Sequence, residues 1–183
     1  MFVRIKKRGT SGNYAYLVEN FWINGSSRQR IKSYLGKVYP LNAIHDIQVV
    51  PDFDLEYKEL ILDIIKKELC RYGFREKEGV YFLGKIFVNL NLGTIYDSRG
   101  KNVVIRLNDG YLCDYHLQGL FNLMASEERV KGIQLASLLV SAGLKVDSSS
   151  FVELYKKLPE EREIVEKDEF GLNVDKVNLD RRF

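Results

Sequence analysis

The chain has 183 residues, 45% apolar, 29% charged and 12% aromatic, with 14 Gly and 3 Pro, which excludes collagen-like, mucin-like and wholly disordered chains. This length allows one core of normal size plus a small accessory unit or tail. The net charge of +3 is unevenly spread: residues 1–39 set eight basic residues against one acid, Glu19, whereas 40–158 are close to neutral and 159–183 hold five basic and eight acidic residues.

Residues 2–8 alternate, with Val3 and Ile5 on one face and Arg4 and Lys6 on the other, which is the period of a strand. No apolar h-region follows, so a secretory signal is not expected. Gly9-Thr10-Ser11-Gly12 reads as a turn. Residues 14–23 are rich in aromatic and branched side chains and read as a second strand. Ala15, Leu17, Phe21 and Ile23 share one of its faces; Tyr14, Tyr16, Val18, Asn20 and Trp22 share the other. Asn24-Gly25 is a primed hairpin turn. Over 27–35, alternation puts Arg28, Arg30, Lys32 and Tyr34 on one face and Ile31 and Leu35 on the opposite one. These elements form a three-stranded antiparallel meander over about 2–38.

Such a meander offers cations (Arg4, Lys6, Lys7, Arg8, Arg28, Arg30, Lys32, Lys37) with Tyr14, Tyr16 and Trp22 among them. Cations neutralise phosphates and release counterions, and rings stack on bases. Segregated charge on a neutral body fits a module that meets a polyanion. The alternative is a sheet whose rings are core and whose cations keep an edge from aggregating.

The segment Tyr14-Ala-Tyr-Leu-Val-Glu19, then Asn24-Gly25, Arg28-Gln-Arg30 and Tyr34-Leu-Gly36-Lys37, resembles the N-terminal β-module of IS4/IS1634-type transposases. The resemblance covers about 36 of the 183 residues. It implies nucleic-acid binding, DNA slightly favoured over RNA, with Arg28 and Arg30 as contacts, and no catalysis. Similar leaders stand on small archaeal proteins without a transposase domain. The acidic triad and RNase H-like pattern of a transposase are not recognisable in the rest of the chain.

Residues 39–52, with Pro40 and Pro51, read as a linker that still packs through Ile44, Ile47, Val49 and Val50. A helix follows from about 54 to 72, capped by Asp52 or Asp54, with Leu55, Ile61, Ile64, Ile65 and Leu69 as its apolar stripe and Gly73 as its stop. Residues 80–92 form a strand bent near Gly84; 94–96 and 102–107 flank the turn Asp97-Ser98-Arg99-Gly100; Asn108-Asp109-Gly110 turns into Tyr111-Leu112. Asp114 caps a helix through Met124, Ser126 with Glu128 opens another to Ala142, Gly143 stops it, and 148–150 start a short helix before Pro159. These consecutive helices permit a helix-turn-helix, although amphipathic packing explains them more simply. Residues 160–183 read as an acidic tail, mobile or docking on a partner or on the chain's own basic sheet.

Signals for chemistry are thin. The runs 60–65 and 135–140 are too short to span a bilayer, which needs about 20 residues. Cys70 and Cys113 form no CxxC pair and are expected as free thiols of a cytoplasmic protein. His45 and His116 lie in no zinc-binding spacing, although His45-Asp46 or Asp114-Tyr115-His116 have the types of an acid–base pair. Gly79 to Gly84-Lys85 has the outline of a phosphate loop but carries Ile86 where Ser or Thr would hold magnesium. Asp97, Asp109 and Asp114 near turns have the chemistry of a nuclease metal site.

The expected fold is therefore α+β: an N-terminal three-stranded antiparallel β-meander, a helix, an antiparallel sheet, and two to three C-terminal helices with an acidic tail. The expected units are 1–39, 40–158 and 159–183. The expected function is non-enzymatic nucleic-acid binding without cofactor or metal, with a protein partner or homodimer accommodated by the body or tail and no membrane association. The rivals are a metal-dependent nuclease using acids of the central sheet, and an assembly protein whose basic sheet meets an acidic protein.

Overall fold

The computed structural model describes residues 1–45, 51–123 and 128–159. The expected packing of Ile47, Val49 and Val50, the helix opening at Ser126, and the acidic tail from 160 onward lie outside them. The fold is α+β. Strands β1 (Phe2–Lys7), β2 (Asn13–Ile23) and β3 (Ser26–Pro40) are the meander, with a 3-10 turn, Gly9–Ser11, between the first two. Helix α1 (Tyr57–Arg71) follows, then β4 (Arg75–Lys77), β5 (Val80–Leu83), β6 (Ile86–Asn89), β7 (Thr94–Asp97), β8 (Val103–Leu107) and β9 (Gly110–Leu112). Helices α2 (Asp114–Phe121), α3 (Glu128–Ala142) and α4 (Ser148–Lys156) complete the described chain.

There are two sheets. One is antiparallel, in the order β4-β5-β6-β7. The other runs β1-β2-β3-β8-β9, and within it β3 pairs with β8 in parallel, Lys37 opposite Val103 through Pro40 opposite Arg106. The third strand of the meander is thus also a strand of the body. Tyr39 and Pro40, read from sequence as the start of a linker, are its last residues.

Periodicity explains most elements. Leu60, Ile61, Ile64, Ile65 and Leu69 of α1 are all buried, against Tyr81, Val88 and Ile95 of the antiparallel sheet and Val103, Ile105 and Leu107 of β8. The strand expected over 80–92 is two strands, because Gly84, at φ +58°, makes a tight turn with Lys85. Capping differs from expectation. Glu56, with no capping side chain, precedes α1, while Asp52 accepts the Asp54 N–H at 3.1 Å. Asp114 does not cap α2. Its carboxylate reaches across to the Ile95 N–H at 2.7 Å and the Asn102 side-chain amide at 2.9 Å.

The meander departs from simple alternation at two places. Ala15 faces Gly36 but Tyr16 faces Tyr34, so Leu35 is an extra residue; Leu17 faces Ser33 but Val18 faces Ile31, so Lys32 is another. Each bulge inverts the phase of the strand. Arg28 and Arg30 therefore lie opposite Phe21 and Glu19, while Ile31 and Tyr34 lie opposite Val18 and Tyr16. The shared face expected for Arg28, Arg30, Lys32 and Tyr34 is corrected: Tyr34 is on the other side. On the side of Ala15, Val3, Ile5 and Leu35 pack with Val38, Val104 and Cys113 in a small second core.

Candidate nucleic-acid interface

The sheet face carrying Tyr14 and Tyr16 is an open cluster of rings and cations. Tyr34 stands beside both, with ring centroids 5.5 Å from Tyr16 and 6.3 Å from Tyr14. Tyr16 is buried at 7% exposure, whereas Tyr34 is 56% exposed. Lys6 lies 5.5 Å from the centroid of Tyr16, and Arg8 covers Tyr14 and Tyr16 at 5.7 and 5.8 Å. Lys37, opposite Tyr14 in the ladder, sits 5.7 Å from the Tyr39 ring. Arg4 projects on the same face, where its guanidinium donates to the side-chain carbonyl of Gln29. Burial and the neighbouring phenols raise the Tyr34 pKa, so it stays a neutral donor at working pH.

Beyond this cluster the hairpin becomes a two-stranded ribbon. β1 covers β2 only from Asn13 to Val18, and β8 covers β3 only from Lys37 onward, so the segments 19–23 and 26–30 pair with each other alone. Trp22, at its end, is 74% exposed. Arg28 and Arg30 are exposed on the opposite face, with Arg30 packed 5.5 Å over Phe21. Glu19 receives Arg30 at 2.9 Å and Lys32 at 3.4 Å, and those contacts hold its carboxyl below the usual range. Two of the three cations expected on the third strand thus share one acid. Lys7 is exposed on the same side as Arg28.

At the inner end of the tyrosine face, the turn between β7 and β8 closes a cavity of about 610 Å³ lined by Tyr14, Tyr34, Lys37, Asp97, Arg99, Lys101, Asn102 and Val103. The turn is built around Asp97, whose carboxylate accepts the N–H groups of Arg99 and Lys101 at 2.9 and 3.1 Å and the Arg99 guanidinium at 2.7 and 3.1 Å. The guanidinium, with those backbone donors, lowers the Asp97 carboxyl to about 2. Gly36 lets the turn approach: at φ +133°, a Cβ there would stand 2.2 Å from the carbonyl oxygen of Asn102.

The other candidates lie away from this face. His116 is fully buried with Nδ1 3.3 Å from the Cys113 sulfur; burial lowers its pKa to about 4 and raises the thiol to about 12. His45 is exposed, and Asp46 lies outside the described residues. Burial raises the Asp114 pKa. Among the described residues no three His, Cys, Asp or Glu side chains gather as metal ligands. Gly79 to Lys85 holds strand β5 and a turn into β6, not a loop before a helix. A larger cavity, about 860 Å³, lies between the 108–110 turn and α3, but its Arg71 is engaged by Glu68 at 3.1 Å and its Lys145 is accompanied by Asp109 and Asp147.

The structure thus gathers Arg4, Lys6, Arg8, Tyr14, Tyr16 and Lys37 on one face and Lys7, Arg28 and Arg30 on the other, with the bulged Lys32 reaching Glu19 and Trp22 at the ribbon end. Sequence reasoning left Tyr34, Arg99 and Lys101 out of the site. The two bulges hid the facing of Tyr34. Only the parallel β3–β8 pairing brings the other two alongside, and nothing local in the sequence announces it. No family model matches the chain, and neither curated proteins nor solved structures give a match.

Proposed function

We propose that the chain is a non-enzymatic nucleic-acid-binding protein that engages duplex DNA through the ribbon and the cations Lys6, Arg8 and Lys37. The observation that carries this reading is the two-stranded ribbon bearing Arg28 and Arg30 on one face, while the opposite face of the same sheet holds Lys6, Arg8 and Lys37 with no ion pair among the described residues. A two-stranded ribbon fits the major groove, and about five residues per strand give it a reach of about 17 Å. The resemblance of residues 14–37 to a transposase leader supports DNA over RNA.

Because β3 also pairs with β8, deleting residues 1–39 would strip the body of a strand, so the test uses substitutions in the full chain. Binding to duplex DNA, single-stranded DNA and structured RNA is measured across a salt series. The expected result is a steep salt dependence on duplex DNA, with a log–log slope reduced by about two to three in Arg28→Ala/Arg30→Ala/Lys32→Ala. An unchanged slope, or no binding at low salt, would overturn the reading. Trp22 and Ile23, exposed on the ribbon, and Ile31, exposed beside it, favour one second reading, an assembly protein. It predicts a complex that survives nuclease treatment.

A further inference from the structure

The cavity between Tyr34 and the β7–β8 turn has a composition that the ribbon lacks. We infer that it is a binding site for one unpaired nucleotide, so that the preferred ligand is duplex DNA ending in a single-stranded extension. The inference rests on the nucleic-acid reading above. A volume of about 610 Å³ lies in the range of small-ligand pockets, about 300–1,000 Å³. Tyr34 offers a ring more than half exposed, propped from behind by Tyr16 and flanked by Tyr14. Every base has a π-face, so such a ring stacks without regard to sequence.

Lys37 on β3 and Lys101 on the facing turn supply the phosphate partners. Arg99 is balanced by Asp97, which leaves Lys37 and Lys101 without a carboxylate partner among the described residues. The site is built before any ligand arrives. Asp97 fixes the turn through the Arg99 and Lys101 N–H groups, the backbone N–H of Asp97 donates to the Lys101 carbonyl at 2.8 Å, and Asn102 is tied to Asp114. A turn backbone already fixed loses little freedom on binding. Within the duplex a base is stacked between neighbours and cannot meet Tyr34. A strand that leaves the duplex on the Trp22 side of the ribbon can, because Trp22 and Tyr34 share the face opposite Arg28 and Arg30.

The test compares three fluorescent probes of equal phosphate count: blunt duplex, duplex with a short thymidine overhang, and thymidine single strand. Each is titrated against the full chain, Tyr34→Ala/Lys101→Ala and Arg28→Ala/Arg30→Ala/Lys32→Ala. The expected result is overhang binding about tenfold tighter than blunt duplex, with that advantage erased in Tyr34→Ala/Lys101→Ala while blunt-duplex affinity changes by less than threefold. Equal affinity for overhang and blunt probes would overturn the pocket and leave the ribbon reading intact. Single-strand binding that depends on Tyr34 and Lys101 but ignores the ribbon arginines would overturn the ribbon and keep the pocket. No binding to any probe would overturn both. Urea melting of each variant checks that the fold persists.

Discussion

Gly36→Ala tests the junction on which the whole surface depends. In the wild-type chain Gly36 faces Ala15 across the ladder, one residue before β3 begins its parallel pairing with β8. An added Cβ would stand 2.2 Å from the Asn102 carbonyl oxygen, 2.7 Å from its carbon and 2.8 Å from the Val103 Cα, all backbone atoms that no rotamer change can remove. The φ of +133° adds a second cost, since an L side chain rarely adopts it. Backbone strain of about 1–3 kcal/mol and overpacking of about 1–3 kcal/mol sum to about 4 kcal/mol. With a urea m-value of about 2 kcal/mol/M, the unfolding midpoint should fall by about 2 M, read by far-UV circular dichroism. A loss under about 1 kcal/mol with an unchanged m-value would refute the reasoning, because it would mean that the turn and β3 separate freely.

Four further outcomes follow from the interior. Asn108, at φ +48°, gives its side-chain amide to Glu68 at 2.8 Å and to the Gly143 carbonyl at 2.7 Å, and accepts the Tyr72 hydroxyl at 3.0 Å; Asn108→Ala should cost about 3 kcal/mol by urea titration, and a loss below about 1 kcal/mol would show the network to be dispensable. His116 titrates near 6.5 when unfolded but near 4 when folded, so the unfolded chain takes the proton first and stability should fall by about 3 kcal/mol as pH drops through that window; His116→Leu should flatten this part of the profile. Asp97, lowered to about 2, contributes stability that is present above its ordinary 3.8 and lost as pH falls toward 2, and Asp97→Asn should abolish that acid limb. In the native protein a maleimide should modify exposed Cys70 quickly and Cys113, buried with its thiol raised to about 12, only on unfolding.

The meander was legible because its signals are local: alternation in 2–8, an aromatic run, and Asn24-Gly25 at the turn. The stripe of α1 and the glycine stops at Gly73 and Gly143 were legible for the same reason. What escaped was anything that depends on distant partners. Leu35 and Lys32 look like ordinary strand residues, and only the register against β2 makes them bulges. The sequence pattern of 102–107 matches a strand equally well in either sheet, so its parallel pairing with β3 could not be read from it. Asp97 and Asp114 carry the residue type of a metal site, yet backbone N–H groups claim both carboxylates.

The parallel pairing of β3 with β8 also sets an order of events during synthesis. The meander leaves the ribosome before β8, and its residues 37–40 present an open edge until β8 has been made. With roughly 60 residues between the two strands and synthesis at about 5–20 residues per second, that edge stays unpartnered for several seconds. Bulges on β3 and the cations along it discourage another nascent chain from pairing there. The same basic strand thus protects the newborn chain before it can meet any ligand.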